Sequence, residues 1–167
     1  MAQINLFPKR FDIERYGFIF ALMSEKLSRE KEEKIRSGFV NFPFPNHLRF
    51  EIDKLKYGYA CIKLPFRDEI TQGQGYIHGG AIATLADSAV AFALATMIDG
   101  GENMLTIEFK INFTAPADAV IFAHAKIIHK GSKTAVGEAD IKKSDGTLVA
   151  KSVFTYYLPE QKQKDIE

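Results

Sequence analysis

The stretch GGAIATLADSAVAFALATMI, residues 79–98, decides the fold of this chain, because as a helix it is apolar on every side. It is long enough to span a bilayer, but it is rich in alanine, carries Asp87 near its middle and precedes amphipathic strands. We therefore interpret it as a core helix and expect no membrane partner. Such a helix must be covered on all sides by other structure.

Asp87 is the residue of this stretch that needs an explanation. An aspartate is rarely buried without a partner, and desolvation disfavours its charged form. No Lys or Arg occurs between Arg67 and Lys110 to neutralise it locally. A functional carboxylate is one interpretation, and a protonated or hydrogen-bonded core residue tied to Ser88 or to a loop is the other.

Composition limits the class of protein. With 167 residues, of which 46% are hydrophobic, we expect one domain with a sizeable core. Lys and Arg number 22 against 21 Asp and Glu, so no global field attracts nucleic acid. The single Cys61 is interpreted as a buried apolar residue in a reducing, cytoplasmic compartment. Residues 16–23 are too short for a signal peptide and lack a cleavage site.

The segments on both sides of the helix alternate as β-strands do. In one of them, residues 106–114, the alternation puts Ile107 on the same face as Phe109, Ile111 and Phe113. Short connections such as Asp145-Gly146 predict an antiparallel meander. The prediction is an α+β fold in which a curved antiparallel sheet wraps around the long hydrophobic helix. Because one sheet covers only part of such a helix, an N-terminal helix or a second copy must cover the rest. The predicted strands are residues 48–52, 57–64, 106–114, 119–129, 134–143 and 147–158.

The N-terminal region predicts an additional helix over residues 12–36, which Gly38 would end. The proline- and phenylalanine-rich residues 39–46 are predicted to be extended. The chain therefore divides into an N-terminal extension (1–47), a main domain (48–158) and a polar C-terminal tail (159–167).

The start of the central helix suits an oxyanion. Gly79 and Gly80 leave backbone N–H groups unpaired at the positive end of the helix. A substrate carbonyl could dock there while Asp87 acts as nucleophile or as general base for water. The small Ala83 and Ala91, one turn from Asp87, leave room for a ligand. Gly79 and Asp87 lie about 12 Å apart along the axis, so one reaction centre needs them from two chains.

The motif GYIHGGAIATLAD over residues 75–87, with Asn112-Phe-Thr-Ala-Pro116 downstream, resembles the hotdog-fold acyl-CoA thioesterases of the phenylacetate-degradation type. The resemblance covers residues 48–158. It implies a homodimer or dimer of dimers with active sites at the interface, and no cofactor beyond the CoA of the substrate. It also implies that Gln72, in place of the usual Asn, orients water or substrate. His78 would position the loop, and Thr106 would orient water near the carboxylate.

Alternative interpretations of these residues remain open. His78 could be a structural histidine, and Gly79 and Gly80 could only permit close packing. The four histidines have no metal-binding spacing, so we expect no metal. Lys130 and Lys133 are candidates for binding the phosphates of CoA. The alternative functions are a non-catalytic acyl-ligand binding module and a hydroxyacyl-thioester dehydratase.

Overall fold

A computed structural model describes residues 26–98 and 103–159. Six strands of this part form one antiparallel sheet, and the predicted antiparallel arrangement is thus confirmed. Within the described residues, none of the helices has the length and apolar character needed to cross a membrane. The elements are α1 (Arg29–Phe39), α2 (Pro43–His47), β1 (Glu51–Lys56), β2 (Tyr59–Leu64), α3 (Gly79–Ala95), β3 (Leu105–Phe113), β4 (Ile121–Lys130), β5 (Thr134–Lys143) and β6 (Leu148–Tyr157).

The apolar stretch forms α3, which packs against β2, β4 and β5. Small residues on the sheet let the helix approach closely. Gly137 of β5 is the tightest point, since a Cβ atom there would lie 2.4 Å from Val90 Cγ1. Around it the helix-facing positions of the sheet are occupied by fully buried alanines: Ala60, Ala123, Ala125, Ala135 and Ala139.

The strand order is β1-β2-β4-β5-β6-β3. Strand β3 therefore forms an edge of the sheet and pairs with β6, whereas the predicted meander would pair it with β4. A β-bulge between Thr106 and Glu108 makes Ile107 the extra residue of the pair. The predicted simple alternation from Ile107 to Phe113 is therefore wrong at its first member. Because the bulge shifts the alternation by one residue, Thr106 takes the same side of the sheet as Phe109 and lies opposite the buried Tyr156.

The predicted N-terminal helix, residues 12–36, is confirmed from Arg29 onward in the part that the structure describes. Residues 26–28 are not helical, and α1 begins at Arg29 because the Ser28 side chain caps it by accepting from the Lys31 N–H at 3.2 Å. The helix ends at Phe39, one residue beyond Gly38. Residues 1–25 and 160–167, which include most of the predicted tail, lie outside the described residues.

The extended structure predicted for residues 39–46 is also wrong. Pro43 starts the short helix α2, where its fixed φ angle suits the first turn and its missing N–H interrupts no helical hydrogen bond. Phe39 and Phe42 bring this region onto α3, with ring centroids 5.2 and 6.1 Å from that of Phe92. The N-terminal region thus covers a part of the central helix that the sheet leaves open.

The close approach at Gly137 gives a test of the packing. Gly137→Ala should lower the free energy of unfolding by about 1–3 kcal/mol, because its methyl group would overlap Val90. The control is Gly38→Ala, whose new methyl group meets nothing within 4 Å. Chemical denaturation measures both variants. Equal stabilities of the two variants would contradict the packing described here.

Candidate active site

The carboxylate of Asp87 is half-buried and accepts two hydrogen bonds from hydroxyl groups. Thr106 Oγ1 donates to Asp87 Oδ1 at 2.9 Å, and the Tyr156 hydroxyl donates to the same oxygen at 2.6 Å. The partners of Asp87 therefore come from β3 and β6 rather than from Ser88 or a loop. In the described part of the chain, Asp87 Oδ2 has no hydrogen-bond partner, so this oxygen is free to meet a substrate or a water molecule.

The sheet register explains why two hydroxyls converge on one oxygen. Thr106 and Tyr156 are direct partners across the β3–β6 pair, and the bulge at Ile107 turns Thr106 toward α3. Without the bulge, alternation would place Thr106 on the outer face with Glu108, whose carboxylate accepts from Thr155 there. The bulge is thus the local feature that brings Thr106 to Asp87.

His78 is the N-cap residue of α3. Its φ and ψ angles are −61° and 139°, and its Nδ1 accepts from the Gly80 N–H at 2.9 Å. The Ala81 and Ile82 N–H groups donate to the His78 carbonyl oxygen. Of the first four N–H groups of the helix, only that of Gly79 has no acceptor within residues 26–98 and 103–159. The imidazole therefore satisfies Gly80 and leaves Gly79 as the available donor.

The loop before His78 is held by its own hydrogen bonds. The Gln72 side-chain oxygen accepts from the Gln74 N–H at 2.9 Å, and its amide nitrogen donates to the Gln74 side chain at 3.2 Å. The His78 N–H donates to the Ile70 carbonyl oxygen at 2.8 Å. Gln72 thus lies at the base of the loop, with its amide engaged locally.

Gly79 and Asp87 both lie next to β3, at opposite ends of that strand. A Cβ atom on Gly79 would lie 3.3 Å from the ring of Phe113, at the end of β3, whereas Asp87 contacts Thr106 near its beginning. The helix and the strand therefore run antiparallel and form one surface. Two further residues predicted to make room for a ligand, Ala83 and Ala91, are partly exposed.

A cavity of about 290 Å³ adjoins the start of α3. Its walls combine the helix start with Phe44 of the N-terminal region. The lining is mostly apolar and includes Gly80 but not Gly79. The lining residues are Phe44, Leu48, Glu69, Ile70, Thr71, His78, Gly80, Ala81 and Thr84.

Lys130 is the last residue of β4 and Lys133 lies in the β4–β5 connection, at the same end of the sheet as the partners of Asp87. Ala135 pairs with Lys130 on one side and with Tyr156 on the other.

The single cysteine, Cys61, is 2% exposed. Burial and the nearby Asp53 raise the pKa of its thiol to about 12, which keeps it protonated and unreactive.

Comparison with known proteins identifies the family of this chain. The sequence profile of the thioesterase superfamily matches residues 74–150, which include His78, α3 and Thr106 but not Gln72 or Tyr156. A 1,4-dihydroxy-2-naphthoyl-CoA hydrolase of Listeria monocytogenes is 33% identical over 92 residues, 54% of this chain and 75% of the relative. The chain belongs to the thioesterase superfamily.

Solved structures support the same assignment of the fold. A thioesterase family protein from Silicibacter pomeroyi aligns with a TM-score of 0.73 at 27% identity, over 78% of this chain and 99% of that chain. The Escherichia coli PaaI protein from the phenylacetic acid degradation operon aligns with a TM-score of 0.74 over 80% of this chain and 96% of that chain, at 23% identity. The predicted hotdog fold and the predicted class, thioester hydrolase, are confirmed.

Sequence reasoning missed Tyr156 as a partner of Asp87. It occupies a strand position between Thr155 and Tyr157 that nothing in the local sequence distinguishes. One signal was present, since alternation along β6 puts Tyr156 on the same face as Ser152 and Phe154, which is the face toward α3. A hydroxyl on that face needs a polar partner, and Asp87 is the polar side chain at the middle of the helix.

The cap of α3 gives a test of the role of His78. His78→Ala should lower the free energy of unfolding by about 0.5–2 kcal/mol, because the Gly80 N–H loses its acceptor. His78→Asn should retain most of the stability, since asparagine is among the best N-cap residues. Denaturant titration measures both variants. An equal loss in the two would exclude capping as the contribution of this side chain.

Proposed function

We propose that this member of the thioesterase superfamily hydrolyses an acyl-CoA or similar thioester to a carboxylic acid and a free thiol. The observation that carries the proposal is the combination, on α3, of a hydrogen-bonded carboxylate at Asp87 and an available N–H at Gly79. The name of the Listeria relative, a hydrolase of an aromatic CoA thioester, supports CoA as the carrier. The proposal needs no cofactor besides the CoA of the substrate.

The chemistry assigns one task to each of these two groups. The Gly79 N–H donates to the thioester carbonyl oxygen and stabilises the negative charge that develops there. Asp87 accepts a proton from the water that attacks the carbonyl carbon, or attacks that carbon itself to form an anhydride that water then hydrolyses. In both routes the carbon–sulfur bond breaks and the thiolate leaves.

Two chains must share each active site. Eight residues of helix separate Gly79 from Asp87 by about 12 Å, whereas reacting groups must lie within about 3–3.5 Å of one another. We infer a two-fold homodimer, alone or within a dimer of dimers, in which the α3 helices run antiparallel and the Gly79 of one chain faces the Asp87 of the other.

The edge strand β3 supports this association. It has no partner on its outer side among the described residues, although it carries large apolar side chains. An edge of this kind is a site at which a second chain can add. The exposed apolar side chains of β3 are Leu105, Ile107, Phe109 and Phe113.

The remaining predicted residues have supporting tasks in this proposal. Thr106 orients the Asp87 carboxylate, and His78 keeps the Gly79 N–H available by satisfying Gly80. Gln72 shapes the loop that leads to the helix. Gly80, Ala83 and Ala91 contact the substrate along α3. Lys130 and Lys133 bind the phosphates of CoA.

The proposal predicts the behaviour of Asp87→Asn. Thiol release from a panel of aliphatic and aromatic acyl-CoAs should fall by at least about 100-fold, because the amide can neither accept the proton nor attack. Asp145→Asn, in the β5–β6 turn and remote from the site, should retain native rates because asparagine can still accept from the Thr147 N–H. Equal rates for native protein and Asp87→Asn would remove Asp87 from the mechanism.

A further inference from the structure

Tyr156 is a buried hydroxyl for which neither the motif nor the family resemblance provides a role. The residue is 1% exposed, and its ring lies beside that of Phe154, with centroids 6.2 Å apart. Its hydroxyl lies 2.6 Å from Asp87 Oδ1 and 2.8 Å from the Asp87 carbonyl oxygen. Packing alone would require only the ring, so the hydroxyl group needs its own explanation.

The hydroxyl proton can be assigned from the charges around it. Burial, and then the negative charge of Asp87, raise the pKa of Tyr156 above its usual range. The side chain therefore stays a phenol and can donate. Of its two acceptors, the carboxylate oxygen is the nearer and the charged one, and a distance of 2.6 Å is typical of a charge-assisted O–H···O⁻ bond.

The fold holds this donor rigidly. Tyr156 lies in the interior of the sheet, paired with Ala135 on β5 and with Thr106 on β3. The small Ala135 leaves space for the phenol ring, and the Thr106 hydroxyl reaches Asp87 Oδ1 from the adjacent strand. Two strands thus fix the same oxygen of one carboxylate, which also fixes where its other oxygen lies.

We propose that Tyr156 is a positioning residue for thioester hydrolysis: with Thr106 it holds Asp87 Oδ1, so that Oδ2 is the oxygen that takes the proton from water or attacks the thioester. This inference rests on the proposed function and deepens it. It assigns Tyr156 no contact with the substrate. Its effect passes through the orientation and the charge of Asp87.

The charged groups near Asp87 make the pH dependence of the rate informative. Tyr156 is the titratable side chain that bonds Asp87, while Glu108, beside the bulge, accepts from Thr155 on the opposite face of β3. From β5, the pairing residue Ala135 carries no charge. Lys130 and Lys133 lie at this end of the sheet and are unchanged in the test below. Loss of the phenol donor would disfavour the carboxylate relative to the carboxylic acid.

The test compares Tyr156→Phe with the native protein on an acyl-CoA that the native protein hydrolyses. We expect kcat to fall roughly 10- to 100-fold, as for loss of a hydrogen bond to a charged group, with KM unchanged. The acidic limb of the pH–rate profile should move to higher pH. Tyr157→Phe is the matched control, because the adjacent residue is 40% exposed, and it should keep the native rate and profile.

The outcomes separate this inference from the proposed function. A native pH profile and native kcat in Tyr156→Phe, together with an inactive Asp87→Asn, would overturn the role of Tyr156 alone. A lower kcat with an unchanged profile and a matching fall in thermal stability would also overturn it, because the hydroxyl would then act only in folding. Native rates in Asp87→Asn would instead overturn the proposed function.

Discussion

The distance between the two functional groups of α3 is the constraint on which the rest of this structure depends. Gly79 offers an N–H at the first residue of the helix, and Asp87 lies two turns further on, about 12 Å along the axis. A single thioester cannot meet both groups of one chain. The proposed completion of the site by a second chain accounts for the open outer edge of β3, for its exposed apolar side chains and for the partly exposed face of α3.

Most of the fold could be predicted from the sequence, because its signals are periodic and local. An all-apolar run with Asp87 at its middle indicates a core helix, and alternation with short turns indicates an antiparallel meander. The predicted ends of β5 coincide with the observed strand, Thr134–Lys143. The errors lie where proline or a cap decides the local structure. Pro43 starts a helix where extended chain was predicted, and Ser28 begins α1 inside a predicted longer helix.

The candidate site was predictable where its residues belong to the contiguous motif or, as for Thr106, where the family resemblance indicates them. His78, Gly79 and Asp87 lie within ten residues of one another, so helical spacing and the family resemblance both locate them. Tyr156 lies 69 residues from Asp87, and its contact depends on the pairing of β3 with β6 and on the bulge at Ile107. No local pattern records that register. The alternation of β3 even placed Ile107 on the wrong face, because one inserted residue reverses the alternation.

Mixing two inactive variants tests the shared site most directly. Gly79→Pro removes the N–H, and the helix should tolerate it because proline suits the first helical position after the extended His78. The control is Gly79→Ala, which adds the same Cβ contact with Phe113 but retains the N–H. An equimolar mixture of Gly79→Pro and Asp87→Asn should regain about a quarter of the native rate, since about half of randomly paired dimers combine the two variants and each of these contains one intact site of two. Mixed dimers that form and stay inactive, while Gly79→Ala is active, would contradict a site built from two chains.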